Sequence, residues 1–329
     1  MMSNNEQGAT ARPVIEAEGL CKSFGDNRAV DGLGFSVAGG SILGLLGPNG
    51  AGKTTTIKLL TTLLVPDAGR ASVAGHDVSR EPDAVRRNIG LAGQSAAIDE
   101  KLSVRQNLDL FGRLYHLPGP ARRERVQELI ERFGMVEYAD RLAETLSGGE
   151  RRRLDLVAAL IADPPAIFLD EPTTGLDPRG RAAVWSEIRA MRDAGAAVVL
   201  TTQYLEEADR LADDILIIDR GAVVAAGTSD ELKRQLGRDV LEITVIDADH
   251  LRAAADALGA ADSVVVGERT VHLSVSGPAE SLEALRRVGD AGIELADFQL
   301  RRPTLDDVFI EITGRPAGPG ATSDEELPA

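Results

Sequence analysis

The fold is decided by residues 42–54, which read ILGLLGPNGAGKT. The last eight residues fit the pattern G-x-x-x-x-G-K-[ST]. They lie between an apolar run typical of a buried strand and a helical pattern with Ile57, Leu60 and Leu64 on one face. The glycines let successive backbone N–H groups curl around phosphate oxygens at a helix start, where Lys53 reaches the β- and γ-phosphates and the Thr54 hydroxyl can ligate Mg²⁺. The segment therefore predicts a phosphate-binding loop.

Short apolar runs alternate with longer helical patterns in the first part of the chain. Residues 42–46, 167–169, 198–202 and 215–218 have the length and residue types of buried strands. Such alternation is typical of a parallel sheet wrapped by helices. An insert from about residue 95 to 163 is polar and helical. Within it the capping-box spacing of Ser103 and Gln106 predicts a helix that turns Leu108, Phe111 and Leu114 inward.

Two adjacent carboxylates follow another predicted strand. Asp170 and Glu171 come directly after the apolar run AIFL at residues 166–169. Open α/β sheets bind their ligands at the carboxyl ends of the strands, so these side chains are expected beside the phosphate loop. Asp170 is predicted to hold Mg²⁺, and Glu171 to orient or deprotonate an attacking water. Considered without the phosphate loop, the two carboxylates have an alternative interpretation, namely a strand end that is simply exposed to solvent.

Charge and composition exclude several classes of protein. The 329 residues carry 36 Lys+Arg and 52 Asp+Glu, for a net charge of -16 at pH 7. An acidic surface repels phosphate backbones, so nucleic acid is not an expected partner. The single Cys21 excludes an internal disulfide, and the histidines lack metal-ligand spacing. No apolar stretch approaches the roughly 20 residues that span a bilayer.

The acidic residues are concentrated in the last part of the chain. Residues 238–329 hold 8 basic and 18 acidic residues. We predict a flexible leader at 1–13, a phosphate-binding domain at 14–237 with its helical subdomain at about 95–163, an α+β domain at 238–315 and a disordered tail at 316–329.

The sequence pattern of the α+β domain predicts a small sandwich of helices and strands. Its pattern predicts a strand at 241–245, a helix at 248–258, a hairpin over 264–275 that turns at Gly267, a helix at 279–288, a strand at 293–300 and a last helix from Thr304. This β-α-β-β-α-β order is that of a ferredoxin-like fold. The domain carries no catalytic constellation, so we interpret it as a regulatory or interaction module.

A second glycine motif, LSGGE at residues 146–150, opens a helix shortly before Asp170. It resembles the signature motif of ABC-transporter ATPases. Ser147 and the bare backbone of Gly148 and Gly149 at a helix start would form a second phosphate cradle. In that family this cradle closes over ATP held by the opposite subunit. The resemblance therefore implies a head-to-tail homodimer that shares two nucleotides.

Other positions match in the order of the family. Phe24 precedes the loop where an aromatic ring stacks on adenine, Gln94 stands where a glutamine contacts Mg²⁺ and water, and Asp177 lies in the loop that joins the two sites. A core position for Phe24 and a surface position for Gln94 are the alternatives. The resemblance implies ATP and Mg²⁺, the metal being held by Thr54, Gln94 and Asp170. The other implied nucleotide contacts are Gly47, Pro48, Asn49, Gly50, Ala51, Gly52, Lys53, Thr55, Ser147, Gly148 and Gly149.

The resemblance narrows to one type of exporter subunit. The runs PTTGLDP at 172–178 and TTQYLEEAD at 201–209, with the acidic C-terminal domain, are similar to the ATP-binding subunits of daunorubicin/doxorubicin drug-resistance exporters. This implies an α/β fold, with an ABC-type P-loop NTPase core, and ATP hydrolysis with Glu171 as base. It also implies export of a small amphipathic compound through a separate integral membrane permease, from a peripheral position on the cytoplasmic side of the cell membrane.

Two residues depart from the family pattern. Gln203 stands where most ABC ATPases have a histidine that contacts the γ-phosphate. An amide can donate a hydrogen bond there but carries no charge, which allows slow turnover and does not imply inactivity. Glu150 stands where the signature often ends in glutamine, a change that we expect to be tolerated.

Several alternative interpretations stay open. The three arginines at 151–153 could form a basic patch that binds nucleic acid. On a helix, however, three successive side chains point in different directions, which favours a solvated face with one or two local ion pairs. For the whole chain the alternatives are a soluble ABC-type ATPase acting on ribosomes or DNA, a subunit of an importer, and a nucleotide-gated sensor.

Overall fold

The computed structural model describes residues 13–93, 97–259, 263–266 and 268–313. The chain falls into two compact units. Unit 1 comprises Met1–Gln203 and Arg210–Val224, and unit 2 comprises Tyr204–Asp209 and Ala225–Ala329. Of the predicted leader only Pro13 is described, and the predicted tail lies outside the described residues. The domain boundaries read from the sequence stay a prediction.

The predicted parallel sheet forms the centre of unit 1. Its described strands run in the order β10-β9-β3-β8-β7-β6, and β9, β3, β8, β7 and β6 pair in parallel. Every residue of β3, β7 and β8 is buried, as expected for strands covered on both faces. The strand bounds are β3 Ile42–Leu46, β6 Ile89–Ala92, β7 Ala166–Asp170, β8 Ala197–Thr202, β9 Asp214–Asp219 and β10 Ala222–Gly227.

A second, antiparallel sheet lies in the same unit and was not predicted. It contains β1 Ile15–Phe24, β2 Asn27–Val37, β4 Ala68–Val73 and β5 His76–Asp77 in the order β2-β1-β4-β5. Its buried side chains, among them Ile15 and Leu33, pack in one cluster with residues of the parallel sheet. The pairing of β1 with β2 has several register shifts. Such bulges break the alternation of apolar and polar residues that would reveal a strand in the sequence.

The helical insert is present, and one of its predicted core positions is wrong. Ser103 and Gln106 form the predicted capping box at the start of α3 Val104–Leu114. Leu108 is fully buried and Phe111 is partly buried, but Leu114 is 62% exposed. At about 3.6 residues per turn, Leu114 lies well off the face that carries Leu108, and Gly112 takes the inner position instead.

Helices α1, α5 and α6 pack buried apolar side chains in the same clusters as residues of the parallel sheet. Pro164 and Pro165 separate α5 from β7, where neither residue could continue the helix. The helix bounds are α1 Lys53–Leu60, α2 Pro82–Arg87, α4 Gly119–Arg132, α5 Gly148–Ala158, α6 Pro178–Asp193 and α7 Leu205–Leu211, the last of which begins in unit 2. No helix of the described residues has the length and apolar character that crossing a bilayer requires.

Unit 2 has the predicted ferredoxin-like arrangement. Its four strands pair antiparallel in the order β12-β13-β11-β14, and α9 and α10 supply apolar side chains to the core on one face. Gly267, the predicted hairpin turn, lies outside the described residues. The bounds are α8 Ser229–Gln235, β11 Asp239–Val245, α9 Leu251–Leu258, β12 Ser263–Val266, β13 Thr270–Val275, α10 Pro278–Asp290, β14 Leu295–Arg301 and α11 Leu305–Thr313.

Candidate nucleotide site

The backbone of the phosphate loop requires glycine for two different reasons. A Cβ on Gly47 would lie 2.3 Å from the carbonyl oxygen of Ile218, and one on Gly52 would lie 2.2 Å from that of Ala29. Gly50 and Gly52 also have φ angles of +80° and +107°, which L side chains rarely adopt. The loop is therefore a close-packed backbone cradle directly before α1, as an oxyanion site needs.

Lys53 is held inside this cradle. Its side chain is only 4% exposed, and Nζ donates to the carbonyl oxygens of Gly47 at 2.8 Å and Pro48 at 3.0 Å. Oε1 of Glu171 lies 3.7 Å from Nζ. Burial lowers the pKa of the Lys53 ammonium, and the carboxylates of Glu171 and Asp170 act in the opposite direction. The cation is thus fixed beside the loop, where phosphate oxygens would bind.

The carboxylate of Asp170 meets Thr54 at the end of β7. Oδ1 of Asp170 accepts hydrogen bonds from Oγ1 of Thr54 at 3.1 Å and from Oγ1 of Thr201 at 2.6 Å. Carboxylate and hydroxyl oxygens are the ligands that Mg²⁺ prefers in proteins. The Thr54 hydroxyl and the Asp170 carboxylate, both beside the cradle, therefore fit as ligands of a magnesium ion.

Glu171 has a strained backbone at the same strand end. Its φ is +49°, in the left-handed region, a conformation that costs about 1–3 kcal/mol and concentrates at functional sites. The backbone N–H donates to Oγ1 of Thr201 at 3.0 Å, and Oε2 accepts from Oγ1 of Thr174 at 3.3 Å. The Thr201 bond holds the backbone of Glu171, and the Thr174 bond orients its carboxylate.

A cleft of about 310 Å³ joins the loop to Phe24. The Phe24 ring is 50% exposed, with Nζ of Lys22 5.8 Å from its centroid. The core alternative for Phe24 is therefore wrong, and the ring presents an open face beside the cradle. The cleft is lined by Phe24, Asn27, Ala29, Asn49, Gly50, Ala51, Gly52, Lys53, Thr54, Thr55 and Glu171.

The second glycine motif forms a helix start with open space around it. Ser147 caps α5 in a capping box with Glu150, which the sequence analysis did not foresee. The hydrogen bond from the Ser147 backbone N–H, at 2.8 Å, is the main cause of a lowered pKa at the Glu150 carboxyl. A Cβ on Gly148 or Gly149 would meet nothing within 4 Å. Nothing in the described chain itself therefore demands glycine at these positions.

A second cleft, of about 330 Å³, lies at this helix start. It is lined by Gly148, Arg151, Arg152, Glu171, Thr174, Gly175 and Leu176. Glu171 thus borders both clefts, whereas Ser147 and the two signature glycines are absent from the described lining of the first.

The three arginines of α5 do point in different directions, but they are not a solvated face. Arg151 pairs with Glu100 and Arg153 with Glu187. Arg152 is only 12% exposed. Arg152 and Arg153 lie against neighbouring elements, and their charges are paired with groups of those elements. They are therefore a poor surface for a nucleic-acid backbone.

Arg152 links three segments around Glu171. It donates from Nε to the carbonyl oxygen of Pro172 at 2.7 Å, and from Nη1 to that of Gly93 at 2.8 Å and to Oδ2 of Asp155 at 2.9 Å. This role of Arg152 was not predicted from the sequence. The only signal was an arginine within one helical turn of Asp155, a spacing that surface ion pairs share.

Thr201 is a second residue that the sequence analysis missed. It lies opposite Asp170 in the parallel pairing of β7 with β8, and its hydroxyl contacts both Asp170 and the Glu171 backbone. The available signal was a polar residue at the carboxyl end of an otherwise apolar strand, AVVLTT.

The remaining predicted residues have separate positions. Asp177 caps α6, accepting from the Gly180 N–H at 2.7 Å. Gln203 directly follows β8 and is partly buried. Gln94 lies outside the described residues. The roles assigned to these three residues stay predictions.

Comparison with known proteins gives matches over most of the chain. Residues 30–174 match the family model "ABC transporter", and residues 227–313 match "ATP-binding protein DrrA1-3-like, C-terminal domain". The chain is 51% identical to the daunorubicin resistance ATP-binding protein DrrA3 of Streptomyces coeruleorubidus, over 92% of this chain and 97% of the relative. It is 48% identical to the daunorubicin/doxorubicin resistance ATP-binding protein DrrA of Streptomyces peucetius, over 94% and 96%.

A solved structure supports the same fold. The structure titled "Structure of ATP binding subunit of ABC transporter" matches with a TM-score of 0.62 and 29% sequence identity, covering 68% of this chain and 93% of that one. The sequence relatives and this structure therefore agree on the fold class that the sequence predicted.

Proposed function

The chain belongs to the family of daunorubicin and doxorubicin resistance ATP-binding proteins of ABC transporters, and from this premise we propose that it drives an exporter of a small amphipathic compound. ATP hydrolysis is the activity of this family. The finer steps below are proposals about which residues of this chain perform it and with which partners.

The observation that carries the proposal is the position of Glu171. Its carboxylate lies 3.7 Å from Nζ of Lys53 on one side, and the residue also lines the cleft beside Gly148. A base must lie close to the γ-phosphate and to the water that attacks it. Glu171 borders both the phosphate loop and the cleft beside the second glycine motif, and this supports the role of base.

The residues of the phosphate loop bind and orient the nucleotide. The backbone N–H groups of the loop and Lys53 contact the phosphates, and the exposed ring of Phe24 stacks on the base. Thr54, Asp170 and Gln94 would hold Mg²⁺, which would supply charge neutralisation at the phosphate oxygens. Glu171 accepts the proton of the attacking water, and Gln203 donates a hydrogen bond toward the γ-phosphate.

A second copy of the chain completes the site. Ser147 and Gly149 cap a nucleotide that is held by Lys53 of the opposite copy, in a head-to-tail homodimer. The open space at Gly148 and Gly149 supports this arrangement, since their backbone is accessible to a ligand. Closing of the two copies on ATP, followed by hydrolysis and opening, is the motion that would be coupled to transport.

The partner is an integral membrane permease, encoded separately. Two relatives are named for resistance to daunorubicin or doxorubicin, which supports an amphipathic antibiotic as cargo. The chain would then lie peripherally on the cytoplasmic side of the cell membrane.

We expect Glu171→Gln to separate ATP binding from hydrolysis. The amide keeps the size and hydrogen-bonding capacity of the side chain but cannot accept a proton, so the hydrolysis rate falls by a factor on the order of 100 or more. ATP affinity is retained, because Lys53 and the loop are unchanged. Phosphate release and binding of a fluorescent ATP analogue measure the two quantities.

Glu144→Gln is the matched control, because Glu144 is an exposed carboxylate of the same unit outside both clefts. It should hydrolyse ATP at the rate of the natural chain. Equal rates in Glu171→Gln and Glu144→Gln would remove Glu171 from the mechanism. Size-exclusion chromatography of Glu171→Gln with ATP tests the closed dimer, which this variant should accumulate.

A further inference from the structure

Unit 2 contains a cleft of about 620 Å³ that the nucleotide site does not use. It lies at the end of the sheet where β11 begins and β13 and β14 end, since β11 pairs antiparallel with both. Residues of α8 form the rest of its wall. Its volume is within the range of sites for small organic ligands.

The cleft concentrates positive charge in an acidic part of the chain. Its lining contains Lys233, Arg234, Arg238 and Arg302, against the carboxylates of Asp230 and Asp239. By contrast, residues 238–329 as a whole hold 8 basic and 18 acidic residues. Two of those eight basic residues therefore meet at one concave surface, together with two more from α8.

The four cations differ in how they are engaged. Lys233 pairs with Asp209 at 2.7 Å, and Nε of Arg234 donates to the backbone oxygen of Asp230 at 3.1 Å. Within the described ranges, the guanidinium groups of Arg238 and Arg302 form no ion pair. These two guanidinium groups therefore line the cleft without an ion-pair partner among the described residues, although acidic residues outnumber basic ones in this part of the chain.

One further carboxylate lies near the cleft wall. Glu280 accepts from the backbone N–H of Ser276 at 2.6 Å, and Arg238 attracts it only at longer range. Glu280 is therefore held by the backbone and forms no ion pair with Arg238 or Arg302 among the described residues.

We propose that this cleft binds a small organophosphate, whose phosphate group is held by Arg238 and Arg302. The planar guanidinium group matches phosphate oxygens with two parallel hydrogen bonds. A phosphomonoester carries about two negative charges, so its oxygens can pair with both guanidinium groups at once. Lys233 and Arg234 add attraction without direct contact being required.

The phosphate can come from a soluble metabolite or from the headgroup of an anionic lipid. Both sources are tested with the full chain carrying Lys53→Ala, because the phosphate loop also binds phosphates and this substitution weakens that second site. Inorganic pyrophosphate is titrated by calorimetry, and flotation is measured with vesicles of phosphatidylcholine, with and without about one third phosphatidylglycerol.

Arg238→Gln combined with Arg302→Gln should weaken pyrophosphate binding by a factor on the order of ten or more, since each charge-assisted bond contributes about that factor. The control is Arg252→Gln combined with Arg286→Gln, which makes the same charge change at two exposed residues of the same unit outside the cleft. The control should bind as the parent does.

The outcomes decide both the site and its source. Loss of pyrophosphate binding in the cleft variant alone supports the site with a soluble ligand. A matching loss of flotation with the anionic vesicles assigns it to a lipid headgroup. The proposal would be overturned if the cleft variant and the control variant bound pyrophosphate equally. It would also be overturned if the parent chain with Lys53→Ala bound no pyrophosphate. None of these measurements depends on ATP hydrolysis, so they stand apart from the test of Glu171.

Discussion

The glycines of the phosphate loop and those of the second glycine motif are present for different physical reasons. Gly47 and Gly52 are required by the chain itself, because a Cβ at either position would overlap a backbone oxygen. Gly148 and Gly149 have no such neighbour. Both lie in the first turn of α5, where glycine is less favourable than alanine by up to about 1 kcal/mol per residue. An unfavourable residue without an internal reason points to a ligand or partner outside the chain.

Gly148→Ala should therefore affect activity and leave folding intact. The added methyl group would obstruct a nucleotide approaching from another copy, so we expect ATP hydrolysis to fall by a factor on the order of ten or more. The free energy of unfolding should stay the same or rise by up to about 1 kcal/mol. Steady-state hydrolysis and urea unfolding give the two values.

Gly52→Ala is the contrasting variant, since it disrupts the loop itself and should lose ATP binding already in the monomer. If Gly148→Ala hydrolysed ATP at the natural rate, the second motif would have no part in capping a nucleotide, and the shared site would have to be abandoned.

At the scale of elements, Arg152 couples α5 to the strand end that carries Glu171. Its guanidinium group contacts backbone oxygens of Pro172 and Gly93 and the carboxylate of Asp155. Burial raises the pKa of the Asp155 carboxyl, and the charge of Arg152 opposes that rise. Arg152 thus holds α5 against the end of β7 that carries Glu171, and if Glu171 is the proposed base, Arg152 is a positioning residue.

Arg152→Gln should lower kcat more than it weakens ATP binding. Loss of the Arg152 hydrogen bonds lets the segment around Glu171 shift, and a displacement of a catalytic group by about 1 Å can cost a factor on the order of 100. Arg113 supplies the control, because it is 65% exposed, pairs with Asp109 within α3 and lies outside both clefts, so Arg113→Gln should stay close to the natural rate. Kinetic constants from ATP titrations distinguish the two variants. A change in KM alone for Arg152→Gln would contradict a positioning role.

The elements differed in how well the sequence predicted them. The strand, loop and first helix around Lys53 were confirmed, and so was the order of strands and helices in unit 2. These elements have local signals in the form of apolar runs, glycines and caps. The antiparallel sheet of β1, β2, β4 and β5 was missed because its bulges interrupt the side-chain alternation. Thr201 and Arg152 were missed because their roles depend on contacts between distant segments.

At the scale of the whole molecule, the excess of acidic residues makes the response to acid a central property. The chain has 52 acidic and 36 basic residues, but exposed carboxylates change stability little. The carboxylates that matter have a pKa in the folded state that differs from that in the unfolded state. Asp307, at the start of α11 in unit 2, is the clearest case because its side chain is only 6% exposed.

A network of ionisable and polar groups surrounds Asp307. Its Oδ1 lies 3.2 Å from Nδ1 of His272 and accepts from Nη2 of Arg301 at 2.9 Å, while the backbone N–H of Thr304 donates to Oδ2 at 2.7 Å. Burial alone would raise the pKa of Asp307, but the hydrogen bonds from His272, Arg301 and Thr304 outweigh it and hold this pKa well below its usual range. The network joins α11 to β13 and β14.

Asp307→Asn should destabilise unit 2 by about 3 kcal/mol at neutral pH, as expected when one partner of a buried ion pair is removed. Because the pKa of Asp307 is lowered on folding, its stabilisation is complete above the unfolded value of about 3.9 and decreases as the pH falls below it. The difference in free energy of unfolding between Asp307→Asn and the natural chain should therefore be constant above about pH 4 and shrink as the pH falls from about 4 to about 2.

The measurement is denaturant-dependent hydrogen exchange of peptides from β11 and β13, which reports on unit 2 separately from unit 1. Asp290→Asn is the control, since Asp290 is 74% exposed and lies 3.9 Å from Arg286, so its loss should change the free energy of unfolding by less than about 0.5 kcal/mol. If the difference in free energy of unfolding between Asp307→Asn and the natural chain stays constant down to about pH 2, Asp307 stabilises the unit through its shape and not through its charge.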